Sequence, residues 1–424
     1  RRPDALPGVT LGTFHSVCAR ILRWNGELLA DLPTCRRWSA GSVGAAGGAP
    51  VLDGRFAIMD QQEQTRVLKG VLREMGADGG DDDDDEDSGG GGWGRKEAPK
   101  PAAVLSAISK IKSSGGDPDA DGDDDPGARR GRKDGAAALA RKAYGRYCSA
   151  ILSDNAMDFD DILLLAKELL ESEPAAVERL RERYAHILVD EFQDTSRVQI
   201  DIVKALSAGS LFVVGDADQS IYSWRGAEAG SMGDFGRHFR DVETVFLMEN
   251  YRSTKNIVGA AQKVISGSSG ETGTYRQDMK PMRGKGPTPR ILATKDSKAE
   301  AKWVVSNILQ QAADGALAPS SKIAIIYRTN AQSRALEEEC VAQNLHYLVR
   351  GSAGTFYSRL EIRDCLCFLR LLHNGRDRAA LARAFRTPPR GLGDVALAEF
   401  GAYCDAADAA AVGAGRPPPS PVGV

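Results

Sequence analysis

Two adjacent carboxylates close an apolar run in ILVDEFQDTS (187–196), where Asp190 and Glu191 follow Val189. Beside a nucleoside triphosphate, one such carboxylate holds Mg²⁺, usually through water. The next orients or deprotonates the attacking water. Mg²⁺ takes oxygen ligands and keeps several waters, so one protein carboxylate suffices. Read alone, an acidic pair of this kind is more often a strand end in solvent.

A second apolar run ends in a related way. LFVVGDADQSIYSWRGA (211–227) places Gly215, Asp216, Asp218 and Gln219 at its end. Gln219 is neutral and both donates and accepts, which suits a sensor between a γ-phosphate and another site. Tyr222, Trp224 and Arg225 follow closely. Their flat groups offer stacking surfaces to bases, and the guanidinium also neutralises phosphate. In VFLMENYRST (245–254) a third run ends in Tyr251 and Arg252. An arginine there could reach a γ-phosphate as an arginine finger does, and Tyr251 could stack on an adenine ring.

These residues need strands to present them. HILV (186–189), LFVV (211–214) and TVFLM (244–248) read as short strands, with a helical pattern over 197–206 between the first two. That alternation indicates a parallel α/β sheet with functional groups at the strand ends. A second block repeats it. RILAT (290–294), KIAIIY (322–327) and HYLV (346–349) read as strands, with helices near 298–312 and over 332–344. Upstream, residues 14–25, 61–75, 101–112, 137–152 and 158–184 carry apolar residues at helical spacing. The segments 76–98 and 113–137 are rich in Gly and Asp and are expected to be disordered.

Composition narrows the class. The 424 residues are 42% hydrophobic and 27% charged, as in ordinary globular proteins. No run of eighteen apolar residues occurs, so no transmembrane helix is expected. The net charge of −3 conceals two parts: the segments 76–98 and 113–137 together carry −10, leaving +7 elsewhere. A basic body of this kind suits a polyanionic partner. The seven cysteines form no CxxC pair, which predicts reduced thiols in an intracellular compartment and no zinc site. The chain begins at Arg1 without a charged-then-apolar leader, so the natural N-terminus is expected upstream.

Taken together, TFHS (13–16), VDEFQDT (189–195), GDADQSIYSWRGA (215–227), NYRST (250–254) and IIYRTNAQSR (325–334) resemble the UvrD/PcrA/Rep family of superfamily 1 DNA helicases. GTFYSRLEIRDCLCFLRLL (354–372) and TPPRGLGD (387–394) extend the resemblance. It implies an α/β fold: P-loop NTPase RecA-like tandem motor domains with an inserted helical subdomain, here truncated at both ends. The first motor domain would comprise 1–21 and 157–251, the helical insertion 22–156, the second motor domain 252–388, and a second insertion or tail 389–424.

The resemblance also implies roles and ligands. ATP and Mg²⁺ would be the cofactors, with Asp190 the metal-associated carboxylate and Glu191 the catalytic one. Gln219 would sense the γ-phosphate, Tyr251 would stack on adenine and Arg252 would contact the γ-phosphate. Phe14, Tyr222, Trp224, Arg225, Arg328 and Asn330 would face single-stranded DNA, and single-strand/duplex junctions would be the substrate, with 3′-to-5′ polarity. The family's GxxxxGK[ST] string is absent from residues 1–424, and it is expected upstream of Arg1. The 424 residues alone are therefore expected to be inactive. A helicase–nuclease subunit and a non-enzymatic single-strand-binding module remain the alternatives.

Overall fold

The computed structural model describes residues 8–40, 52–77, 99–118, 135–220, 235–266, 278–315, 321–350, 360–375, 377–388 and 394–413. The chain divides into two compact units. The first comprises Arg1–Val245, Gly270–Arg276 and Asp364–Val424, and the second Phe246–Ser269 and Gln277–Arg363.

The first unit begins with helices α1 (Phe14–Trp24), α2 (Pro33–Ala40), α3 (Gln61–Glu74), α4 (Pro101–Ser113), α5 (Gly135–Ser153), α6 (Phe159–Ser172), α7 (Pro174–Arg183) and α8 (Arg197–Leu206). Their starts are written in the sequence. Thr13 caps α1, and Asp60–Glu63, Asp158–Asp161 and Ser196–Gln199 form capping boxes at α3, α6 and α8. Each box satisfies amide groups that the first helical turn leaves without partners. The expected helix over 158–184 is two helices. Pro174 lacks an N–H and pushes Glu173 out of the helical conformation, so α6 ends there and α7 begins.

One apolar core joins these helices, with Leu22, Leu68, Ile108, Tyr147, Ile162 and Leu169 among its members. Each such side chain contributes about 1.5–3 kcal/mol by leaving water. Strands β1 (Ala57–Ile58) and β2 (Ala156–Met157) pair in parallel beside this core. The core also reaches into segments expected to be disordered. Ala77 is buried, Ser113 closes α4 and Gly135 opens α5. Gly116 has φ +78°, a conformation that favours glycine, and a Cβ there would lie 2.7 Å from the end of the Leu164 side chain, which would have to shift. The remainder of the two acidic segments, 78–98 and 119–134, lies outside the described residues.

Strands β3 (Ile187–Val189) and β4 (Leu211–Val213) pair in parallel, in the register Ile187 to Leu211 and Val189 to Val213, with α8 as the crossover. Val189, Phe192, Ile200 and Val203 form a small core beneath them, which Phe14 also touches. The opposite face is open: Leu188 is 75% and Phe212 61% exposed. Helix α9 (Phe235–His238) brings Phe235 edge-on to Phe192.

In the second unit, β5 (Glu249–Thr254) pairs in parallel with β6 (Lys280–Arg283). Helices α10 (Lys255–Ser266), α11 (Ser297–Ala313) and α12 (Ser333–Ala342) complete it. The strand expected over 244–248 begins later. Its first rung is the Lys280 N–H to the Met248 carbonyl at 2.7 Å, and NYRST lies within the ladder. The expected strands 290–294, 322–327 and 346–349 join no ladder among the described residues, and Ile291, Ile326 and Leu348 are exposed. Apolar runs set a preference for extended backbone, but a strand forms only where a neighbour takes its amide groups.

The chain then returns to the first unit through α13 (Leu360–His373), α14 (Arg378–Arg386) and α15 (Asp394–Gly413). Arg370 fastens this end to the helical region, pairing with Glu63 at 2.7 Å and with Asp377 at 2.8 Å. The buried Asn374 donates to the carbonyls of Asp154 and Asn155. All seven cysteines are free thiols. Among the described residues no helix is long and apolar enough to cross a membrane.

Candidate active site

The site stands where β3 and β4 end. Val214 donates to the Val189 carbonyl at 2.9 Å and Phe192 donates to the Val214 carbonyl at 2.9 Å, so the ladder continues past both strands. Between these rungs the chain turns sharply. Glu191 adopts the left-handed conformation, with φ 52° and ψ 44°, and caps a 3₁₀ turn at Phe192–Asp194. A glutamate there is strained by about 1–2 kcal/mol. The turn faces Phe192 into the core, fully buried, and leaves Asp190 and Glu191 exposed.

A hydrogen-bond chain ties the two strand ends together. Asp190 Oδ1 accepts the Glu191 N–H at 3.0 Å. Gln193 Nε2 donates to Glu191 Oε2 at 2.7 Å, and Gln193 Oε1 accepts the Asp216 N–H at 3.0 Å. Asp216 in turn accepts from Gln219 Nε2 at 2.7 Å and from the Asp218 N–H at 3.0 Å. The structure thus brings Asp190, Glu191 and Gln219 into one network through Gln193 and Asp216. Gln193 was not among the residues expected from the sequence. An amide two positions after the acidic pair does not by itself mark such a role.

Asp194 completes this end. Its Oδ1 is buried without a hydrogen-bond partner among the described residues. Desolvation first, and then the Glu191 charge, raise its carboxyl above the usual range. The donors at this strand end are carboxylate oxygens, the type that Mg²⁺ prefers. Among the described residues no group of three or more His, Cys, Asp or Glu could hold a metal by itself. Exposed carboxylate oxygens of this kind fit an ion that keeps most of its waters.

The other expected residues are placed as follows. Phe14 is half-buried at the start of α1, packed against both apolar cores. Tyr222, Trp224 and Arg225 lie outside the described residues. Tyr251 and Arg252 belong to the second unit, on β5, and both are exposed. The Tyr251 hydroxyl donates to Glu249, and that hydrogen bond, with the Glu249 charge, raises the phenol above its ordinary range. The Arg252 carbonyl accepts from Arg283 at 2.8 Å. Arg328 and Asn330 are exposed; Asn330 opens a 3₁₀ turn, and Gln332 Oε1 accepts the Arg328 N–H at 3.0 Å.

Comparison with known families adds the deciding observation: the UvrD/REP helicase N-terminal domain matches residues 3–240. The chain belongs to the UvrD/Rep helicase family. The UvrD-like helicase C-terminal domain matches residues 245–409. The junction between these two helicase domains falls beside the Val245–Phe246 boundary between the two units. The ATP-dependent DNA helicase PcrA of Staphylococcus epidermidis is 30% identical over 402 residues, which cover 93% of this chain and 48% of that protein. The ATP-dependent DNA helicase UvrD1 of Mycobacterium tuberculosis is 32% identical over 405 residues, covering 93% and 46% respectively. The UvrD/Rep chain described here thus spans about half the length of these relatives.

Proposed function

We propose that this chain is part of an ATP-dependent DNA helicase that translocates 3′-to-5′ on single-stranded DNA and opens duplex at single-strand/duplex junctions. One observation carries the reading: an exposed acidic pair at a strand end, with Glu191 joined through Gln193 to the loop that bears Gln219. Asp190 would hold Mg²⁺, which would supply neutralisation of phosphate charge. Glu191 orients the attacking water and takes its proton. Gln219 reports the γ-phosphate to the loop that leads to Tyr222, Trp224 and Arg225. Tyr251 stacks on the adenine and Arg252 reaches the γ-phosphate. Phe14, Arg328 and Asn330, with the aromatic residues of 222–225, line the path of the strand.

Glu191→Gln tests this reading in the complete protein, since it keeps the side chain's shape and removes its basicity. DNA-stimulated phosphate release falls by about a hundredfold or more while ATP binding survives, the scale of losing a positioned general base. Wild-type turnover would remove Glu191 from the role.

The sequence favours a second reading for residues 1–424 taken alone. They contain no GxxxxGK[ST] string, whose backbone amides and lysine cradle the β- and γ-phosphates. On this reading the 424 residues bind single strands without hydrolysing ATP. Trp224→Ala then weakens single-strand binding by about 1–3 kcal/mol, the value of one stacked base. Robust phosphate release by the 424-residue chain would overturn it.

A further inference from the structure

Gln193 is 2% exposed, and burying a primary amide is costly unless its polar atoms are satisfied. Here both ends of the amide are used, in opposite senses. Nε2 donates to Glu191 Oε2 at 2.7 Å, and Oε1 accepts the Asp216 N–H at 3.0 Å. The residue's own carbonyl accepts from Ser220 Oγ at 3.3 Å. Its sequence neighbour Phe192 is fully buried and Thr195 O–H bonds back to the Phe192 carbonyl at 2.6 Å, so the backbone that carries Gln193 has little freedom. The side chain therefore spans two strand ends as a strut of fixed length.

Only an amide suits both contacts. A carboxylate accepts from Asp216 but has no proton for Glu191, and an apolar side chain serves neither. Glu191 is otherwise exposed, on a left-handed residue, and a free glutamate side chain there would sample several rotamers. A base for an attacking water must be held within hydrogen-bond reach of it.

We propose that Gln193 is a positioning residue that fixes the Glu191 carboxylate and ties its orientation to the 216–219 loop, so that movement of that loop is felt at the carboxylate. The proposal rests on the role given to Glu191 above. The chain runs Glu191, Gln193, Asp216, Gln219, and it continues toward the loop proposed to meet DNA. A shift of the Asp216 amide pulls on Gln193 Oε1 and turns the carboxylate bonded to its Nε2. DNA then raises turnover by selecting the loop position in which Glu191 points at the water.

The test uses the complete protein and four variants: Gln193→Met, Gln193→Glu, Glu191→Gln, and Glu191→Gln combined with Gln193→Met. Gln193→Met lowers the DNA-stimulated kcat about tenfold or more while the KM for ATP stays within about threefold, as expected when orientation rather than binding is lost. The ratio of DNA-stimulated to DNA-free turnover falls with it. Gln193→Glu keeps an acceptor for the Asp216 N–H and sets a second carboxyl against Glu191; assayed at a pH high enough to ionise both, it has no proton for Glu191 and matches the Met variant in kcat. It also serves where Gln193→Met does not fold. Adding Gln193→Met to Glu191→Gln costs less than about a further twofold, because residues that act as one unit are not additive.

Multiplicative losses in the double variant, or wild-type kcat in Gln193→Glu, would overturn the proposal and leave Gln193 as a structural clasp. Wild-type turnover in Glu191→Gln would instead sink the assignment of the site itself, so the two failures are told apart.

Discussion

Asp158 and Asp161 head α6 with 4% and 1% of their surface exposed, while Asp190 and Glu191 stand in solvent at the end of β3. The first pair closes on Lys112, whose Nζ lies 2.6 Å from Asp158 Oδ2 and 2.6 Å from Asp161 Oδ1. Its side chain is wholly buried, 5.0 Å above the ring of Tyr147 and 5.7 Å from that of Trp38. Among the described residues the second pair meets no cation, only an amide and its own backbone. Two buried carboxylates with a lysine are committed to each other and hold α4 to α6. Exposed carboxylates at a strand end keep their lone pairs for water and, on the proposed reading, for a cation that arrives with a substrate. Acid–acid spacing does not distinguish these fates; the presence of a lysine 46 residues away does.

The largest effect that tests this contrast is Lys112→Met. It leaves two buried carboxylates without a cation and costs about 3–5 kcal/mol, as broken buried pairs do. Urea denaturation measures it, and a loss below about 1 kcal/mol would mean that water reaches the cluster. Restoring neutrality with Asp158→Asn and Asp161→Asn in the Lys112→Met chain recovers much of the loss.

Next comes the pH dependence. Burial raises the Asp161 carboxyl, the Asp158 charge adds to this and Lys112 opposes it, leaving it up at about 7. Asp161 therefore holds its proton longer in the folded chain than in the unfolded chain, whose aspartates titrate near about 4. The folded state then binds the extra proton, so this group lowers stability progressively as pH rises from about 4 to about 7. Asp158 behaves oppositely. Burial, the largest single influence, raises it, but the Lys112 charge and the hydrogen bonds from Lys112 and Asp161 together bring it below the usual range, so its contribution is lost only at lower pH. Asp161→Asn should remove the decline between about pH 4 and 7, since the amide oxygen still accepts the Asp158 N–H. Parallel urea midpoints for the two chains across that window would contradict the assignment.

Smaller again is Tyr147→Phe, which removes the hydroxyl that donates to Asp158 Oδ2 at 3.2 Å. About 1 kcal/mol is the usual value of one such hydrogen bond. At the strand end the same chemistry should be nearly silent. Asp190→Asn changes thermal stability by less than about 0.5 kcal/mol, as surface substitutions do. A large melting shift there would mean that Asp190 is structural and would erase the contrast.

Much of this architecture is legible in the residues. The helix starts announce themselves through Asp60, Asp158 and Ser196, and the strand ends through the polar residues after Val189 and Val214. What is illegible depends on distant partners. Lys110 and Lys112 look alike in SKIKSS, yet Lys110 is exposed and Lys112 is buried, because only the latter meets α6. Residues 290–294 and 322–327 have the texture of strands, but texture does not supply a neighbour. Asp190, Glu191 and Gln219 could be picked out by type and spacing. The amide that joins them could not, since its value lies in a contact with Asp216, 23 positions further on.

The left-handed backbone of Glu191 has an evolutionary consequence. Glycine or asparagine would occupy that conformation more comfortably, so Glu191→Gly relieves about 1–2 kcal/mol of backbone strain and raises stability where water takes over the Gln193 donor that the carboxylate leaves. Mutagenesis scored only on heat resistance would therefore reward loss of the carboxylate on which the proposed hydrolysis depends. A glutamate retained at such a backbone position trades robustness for reactivity. Screens that seek sturdier versions of this chain should hold position 191 fixed.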